Sequence, residues 1–161
     1  MYSVRRRRRG LGSRQIGEGE FVERKDTAEF VFLYGTLLPQ FVPEAMREVV
    51  ARLHFHGDGS LRGVLYDLGD YPGAVFDTTT DMRVDGTVFE LPQDPQVLEA
   101  LDRYEGYDPT PHAANLFVRK LQRVDLMTGD TIECWVYEYN GNPNGALVIA
   151  RGRYERPSER P

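Results

Sequence analysis

The chain has 161 residues, 40% of them hydrophobic and 28% charged, enough for one sizeable core and too few for two comfortable domains. These values predict a soluble globular protein, and no stretch approaches the roughly 18 apolar residues that would span a bilayer. The formal net charge of -5 hides an asymmetry: residues 1–26 hold 8 basic and 4 acidic side chains, leaving 12 basic and 21 acidic in the rest.

The run Arg5 to Arg9 attracts polyphosphate by charge alone. The following segment, Gly10-Leu-Gly-Ser-Arg-Gln-Ile-Gly-Glu-Gly19, is glycine-rich and lacks the apolar core of a secretory signal. Residues 1–26 are therefore expected to be a disordered basic extension rather than a nucleic-acid arm, although both readings remain open. The domain is expected over 27–156, with 157–161 as a short tail.

Glu29-Phe-Val-Phe-Leu-Tyr34 is rich in aromatic and β-branched residues and stops at Gly35, the pattern of a buried first strand ending in a turn. Pro43 opens a helix whose apolar positions Met46, Val49, Val50 and Leu53 recur every three or four residues and should pack on a sheet. Gly57-Asp-Gly59 marks a hairpin leading into Gly63-Val-Leu-Tyr-Asp-Leu68, with Tyr71-Pro-Gly73 as the next turn. Strands follow at Ala74 to Asp77 and Gly86 to Leu91.

Asp94 as N-cap and Pro95 at the first helical position start a second helix, which Gly106 and Pro109 end near Glu105. Two alternating strands, Val118 to Leu126 and Thr131 to Tyr139, join through Thr128-Gly-Asp130. Ala146 to Ala150 suits a short final strand. The pattern predicts an α+β domain on a curled sheet or small barrel. Cys134, the only cysteine, sits in the alternation Ile132 to Tyr137 and reads as a small buried hydrophobe, which fits a reducing cytosol.

The second helix contains a local conflict. At ~100° per residue with Val97 at zero, Leu101 falls near 40°, Tyr104 near 340° and Leu98 near 100°. Glu105, at about 80°, lies inside that apolar stripe, whereas Glu99, Asp102 and Arg103, near 200°, 140° and 240°, are placed as surface charges. An inward carboxylate is costly unless paired, hydrogen-bonded or protonated. Burial and the negative end of the helix dipole would both raise its pKa, which suits a general acid/base near neutral pH. A frayed helix end or a salt bridge to Arg119 would account for it as well. Tyr34-Gly-Thr-Leu37 is either a plain turn or a concavity of backbone amides able to hold an anion.

Taken in order, Tyr34-Gly-Thr-Leu37, Gly63-Val-Leu-Tyr-Asp-Leu-Gly69, Tyr71-Pro-Gly73, Gly86-Thr-Val-Phe-Glu90, Leu101-Asp-Arg-Tyr-Glu-Gly-Tyr107 and Cys134-Trp-Val-Tyr-Glu-Tyr139 resemble the gamma-glutamylcyclotransferase-like family, from about Phe30 to Tyr154. The resemblance implies a closed or nearly closed, mostly antiparallel barrel flanked by two helices. It also implies a reaction without metal or cofactor that converts a gamma-glutamyl amide to 5-oxoproline and a free amine. By position, Glu105 would be the catalytic acid/base, Tyr34, Gly35, Thr36 and Leu37 would bind the substrate α-carboxylate, and Tyr71 and Arg119 would be further substrate-binding residues. His112 and Asn115 lie in the loop beyond Glu105, where they could line it. Two positions depart from the family pattern: Leu38-Pro-Gln-Phe-Val-Pro43 follows the loop, and Phe117 stands where members commonly carry a tyrosine. The partner implied is a small gamma-glutamyl compound, with neither nucleic acid nor membrane expected. A non-catalytic module binding a small carboxylate is the alternative on the same fold.

Overall fold

A computed structural model describes residues 28–111 and 113–156; the basic extension, Thr27, His112 and the tail 157–161 lie outside the described residues. Its elements in chain order are β1 (Phe30–Leu33), a 3-10 turn (Glu44–Met46), α1 (Arg47–Ala51), β2 (His54–Asp67), β3 (Pro72–Phe76), β4 (Arg83–Glu90), α2 (Pro95–Glu105), β5 (Phe117–Leu126), β6 (Thr131–Tyr139) and β7 (Leu147–Val148). The ladder runs β2-β4-β1-β6-β5 and returns from β5 to β2 at Gly59↔Leu126 and Ser60↔Asp125, closing a five-strand barrel. β1 and β6 are parallel and the other barrel pairs antiparallel. β3 and β7 are additional strands bonded to β2.

Alternation along the strands divides the apolar residues between two clusters. Phe32, Leu61, Leu65, Val84, Val88, Val124, Cys134 and Val136, drawn from all five barrel strands, pack together as the barrel filling. The intervening positions Val31, Leu33, Phe89, Trp135 and Tyr137 form a second cluster with Met46, Val50 and Leu53 from the first helical segment and Val97 and Leu101 from α2. This second core attaches the helices to the outer face of the barrel. Asp94 caps α2 by accepting from the Gln96 amide at 2.9 Å and pairs with Arg52 at 2.9 Å, which ties the two helical segments together.

Three expectations about local structure change. Gly57-Asp-Gly59 is not a hairpin: β2 runs unbroken through it, with a register irregularity between Phe55 and Gly57. A Cβ on Gly59 would sit 2.7 Å from the Asp125 carbonyl oxygen. The glycine is there because β5 crosses β2 closely where the barrel closes, a tertiary requirement that looks like a turn signal in sequence. The helix after Pro43 is a 3-10 turn followed by five α-helical residues, and Leu53 packs into the core from beyond its end. The turn expected at Tyr71 to Gly73 lies earlier, where the Leu68 amide donates to the Tyr71 carbonyl at 3.0 Å and Gly69 takes φ +101. Pro72 and Gly73 already belong to edge strand β3, which tolerates a proline at its first residue.

Candidate active site at the end of β1

β1 stops at Leu33 because the next four residues leave the ladder and turn. The Tyr34 ring is buried, and its hydroxyl donates to the Tyr137 carbonyl at 2.6 Å while accepting from the Ala74 amide at 3.3 Å. Gly35 follows because Pro72 packs against the turn: a Cβ there would lie 2.9 Å from Pro72 Cγ. The turn is held by the Leu38 amide donating to the Gly35 carbonyl at 3.0 Å. The amides of Gly35, Thr36 and Leu37 donate to no carbonyl of the described residues. Buried or half-buried amides without partners are costly, so the turn presents donors for an incoming acceptor or water.

The turn borders a cavity of about 260 Å³ lined by Tyr34, Gly35, Thr36 and Leu37, by Tyr71 and Pro72, by Tyr104 and Glu105 of α2, and by Leu116, Phe117 and Tyr137. The volume is near the lower end of small-ligand pockets, which begin at ~300 Å³. Among the described residues, Glu105 is the only acidic member of that lining, which contains no Lys or Arg. The residue as a whole is half-buried, but its carboxyl lies deep among protein atoms, and loss of hydration pushes its pKa up to about 8. No described residue offers it a hydrogen bond or an ion pair that would offset this. Gly106, in the left-handed conformation at φ 66, ends the helix just past it, so the side chain belongs to an ordered last turn rather than a frayed one.

Thr36 Oγ1 and the Tyr104 hydroxyl lie 3.0 Å apart, joining the turn to α2. Two hydroxyls that share one hydrogen keep the other available as a donor to a ligand. Phe117 packs between Tyr71, tilted at a centroid distance of 6.0 Å, and Tyr139, edge-on at 5.7 Å, and gives that wall an apolar surface.

The structure thus brings Tyr34, Gly35, Thr36, Leu37, Tyr71 and Glu105 to one cavity, while Arg119 is elsewhere. The Arg119 guanidinium does not reach Glu105. It donates through Nη1 to Asp102 Oδ2 at 2.7 Å and stacks on Trp135 and Tyr107, 4.5 and 5.4 Å from their ring centroids. Asp102, expected on the surface, is buried and also accepts from the Tyr137 hydroxyl at 2.7 Å. Its angular position bordered the apolar stripe, and two buried donors on the barrel draw it inward; only the cross-strand placement of Arg119 opposite Tyr137 reveals those donors. Burial still pushes the Asp102 pKa up, against the lowering influence of both partners. Asn115 folds back on its own loop, bonding Asp108 at 2.8 and 3.0 Å. Cys134 is buried with its thiol pKa pushed up to about 12 and takes no part in the cavity.

Tyr104, Leu116, Phe117 and Tyr137 are lining residues that sequence patterning did not single out as site residues. The alternation of β6 put Tyr137 on the face of Trp135, but only the barrel closure brings that face against α2. Among the described residues, no group of acidic, histidine or cysteine side chains is arranged to hold a metal ion, and no helix is long and apolar enough to cross a membrane.

The fold is shared with solved structures. An aig2-like protein from Mus musculus is similar at TM-score 0.63 and 22% identity, over 83% of this chain and 90% of that one. The ytfP protein of Escherichia coli is similar at TM-score 0.56 and 24% identity, over 81% and 99%. YkqA of Bacillus subtilis is similar at TM-score 0.57 and 18% identity over 78% of this chain, which spans only 39% of the YkqA chain. A search of curated protein sequences finds no match. The family model described as gamma-glutamyl cyclotransferase, AIG2-like matches residues 31–156. That segment contains the amide turn, Glu105 and the whole cavity lining, and the chain belongs to the gamma-glutamyl cyclotransferase, AIG2-like family.

Proposed function

We propose that this protein is a gamma-glutamyl cyclotransferase that converts a gamma-glutamyl amine or related conjugate to 5-oxoproline and a free amine, with Glu105 as general acid/base. The observation that carries the reading is the sharing of one small cavity by a carboxyl with a pKa near 8 and a turn of unpartnered amides. Amides suit a carboxylate, and a lone buried carboxyl suits an ammonium group. A gamma-glutamyl compound carries both on its α-carbon.

Docking the α-carboxylate on Gly35, Thr36 and Leu37 would set the α-nitrogen toward Glu105 and the γ-carbonyl of the same molecule. The attack is then intramolecular, so much of the entropic barrier is removed by orientation. In the empty site the carboxyl is mainly protonated at neutral pH; an arriving ammonium group favours the ionised form. Glu105 then accepts a proton from the α-ammonium, and the freed lone pair attacks the γ-carbon. The nitrogen–carbon bond closes the five-membered ring, and Glu105 returns its proton to the leaving amine nitrogen as the original amide bond breaks; the second proton shed by the ring nitrogen passes through the same carboxylate to the freed amine, which departs as an ammonium ion. The spare hydroxyl hydrogen of the Thr36–Tyr104 pair is a donor for charge on the γ-oxygen. No metal or cofactor enters these steps.

The test is incubation with a panel of gamma-glutamyl amines, amino acids and peptides, measuring 5-oxoproline, with Glu105→Gln alongside. Wild-type turnover lost in the variant supports the assignment. Equal product from both proteins removes Glu105 from the mechanism, and ligand-induced thermal stabilisation of the wild type without product from any panel member favours a binding module instead.

A further inference from the structure

The described cyclisation uses Glu105 and the amide turn, but leaves unexplained a buried ionic cluster one helical turn away. Asp102 and Glu105 are three residues apart on α2 and so lie on one face. Each oxygen of Asp102 has its own donor: Arg119 Nη1 reaches Oδ2 at 2.7 Å, and the Tyr137 hydroxyl reaches Oδ1 at 2.7 Å. Those donors are directly paired across β5 and β6, so one rung of the barrel holds the helix. The guanidinium is also stacked on Trp135 and Tyr107, which restricts its placement.

Tyr137 also contacts the other half of the site. Its carbonyl accepts from the Tyr34 hydroxyl at 2.6 Å, and Tyr34 begins the amide turn. One residue therefore holds the acid/base helix through its side chain and the carboxylate-binding turn through its main chain. Tyr137 is itself one of the residues lining the cavity.

Stability alone does not call for this arrangement. A buried ion pair is often no more stabilising than an apolar replacement of similar volume. Apolar side chains at positions 102, 119 and 137 together would extend the apolar stripe without desolvating a charge. Two hydrogen bonds of fixed direction do what apolar side chains cannot, which is to set the rotation and height of the last helical turn.

We propose that Asp102 is the positioning residue of this site, held by Arg119 and Tyr137 so that Glu105 keeps a set separation from the Tyr34–Leu37 amides. The proposal rests on the cyclotransferase reading for its kinetic consequence, but its structural consequence can be measured without turnover. Loosening the last turn would admit water to Glu105. The ionisable groups around that carboxyl among the described residues are Tyr34 and Tyr137, both buried with raised pKa, the cavity-lining Tyr71 and Tyr104, and the Asp102–Arg119 pair behind Tyr137.

The experiment compares wild type with Asp102→Asn, Asp102→Leu and Tyr137→Phe. Tyr137→Phe keeps the Asp102 charge and removes only one tie, so it separates position from charge and carries the test should the Asp102 variants not fold. Two quantities are read: kcat and KM per folded molecule, and the titration of Glu105 by carboxyl carbon NMR, assigned from the resonance missing in Glu105→Gln. The expected result is a fall in kcat of roughly tenfold to a hundredfold, the scale of an ångström-sized misplacement, with KM changed far less. The Glu105 midpoint should also fall below its wild-type value of about 8 in every folded variant. A lower melting temperature with unchanged kcat and an unchanged Glu105 midpoint would overturn the proposal and leave Asp102 a purely structural residue. Absence of wild-type turnover on the whole panel would defeat the cyclotransferase reading alone, since the titration still decides the positioning role.

Discussion

Replacing Glu105 by glutamine should make the protein more stable, and increasingly so as pH rises from 4.5 to about 8. The carboxyl titrates near 4.5 when unfolded and near 8 when folded, because burial removes its hydration and nothing nearby replaces it. Below pH 4.5 it is protonated in both states and contributes no pH dependence. Between the two values the unfolded chain releases the proton while the folded chain retains it. The unfolded state then binds fewer protons, and stability falls as pH increases. Above about 8 both states are ionised and the loss levels off. At ~1.36 kcal/mol per pH unit this interval would amount to on the order of 4–5 kcal/mol; partial exposure and water entering the cavity reduce the working expectation to about 2–4 kcal/mol. Glutamine keeps the shape and does not titrate, so the variant lacks this slope. Other titrating groups are common to both proteins and cancel in the difference. Urea unfolding at half-unit steps from pH 4 to 9 measures it. A stability difference that stays constant across that range would refute the claim that Glu105 is a desolvated, unpaired carboxyl, whatever the enzyme does.

The same titration should govern catalysis: kcat/KM for a gamma-glutamyl amine is expected to rise about tenfold per pH unit below pH 8 and then flatten. A profile already flat across pH 5.5 to 9 in initial rates would mean that Glu105 is solvated. Truncating Asp102 to alanine strands Arg119 and the Tyr137 hydroxyl without their acceptor and should cost about 3–5 kcal/mol of stability by urea titration. A loss under 1 kcal/mol, the scale of exposed pairs, would show that the cluster is effectively solvated. Gly35→Ala places a methyl 2.9 Å from Pro72 Cγ and should displace the amide turn, raising KM with a smaller effect on folding. Unchanged KM together with an unchanged melting temperature would show that the turn is free to move away from Pro72.

Much of the molecule is written in local patterns. Asp94, Pro95 and Gly106 bound α2, and the structure places that helix at Pro95–Glu105. Alternation and the Thr128 to Asp130 turn define β5 and β6 to within a residue. Helical geometry placed Glu105 at about 80°, between Leu101 and Leu98, but left a frayed end or a pairing with Arg119 equally open; the Gly106 cap and the buried carboxyl decide for the inward direction. The helix and strand boundaries depend on contacts a few residues apart, which is why they can be read without the fold.

What the chain does across long separations was hidden. Gly57-Asp-Gly59 has the composition of a turn, but β5, more than sixty residues later, requires a bare backbone there. Asp102 has the angle of a surface charge, and only a barrel that sets Arg119 opposite Tyr137 makes burial the better state. Arg119, open in sequence to a pairing with Glu105, is instead committed to Asp102. Local spacing therefore marked Glu105 as a carboxylate inside the apolar stripe but left Asp102 on the surface. Closure of the barrel determined that Glu105 meets the amides of Gly35 to Leu37 in one cavity, because that meeting depends on β1, β6 and α2 converging from distant parts of the chain.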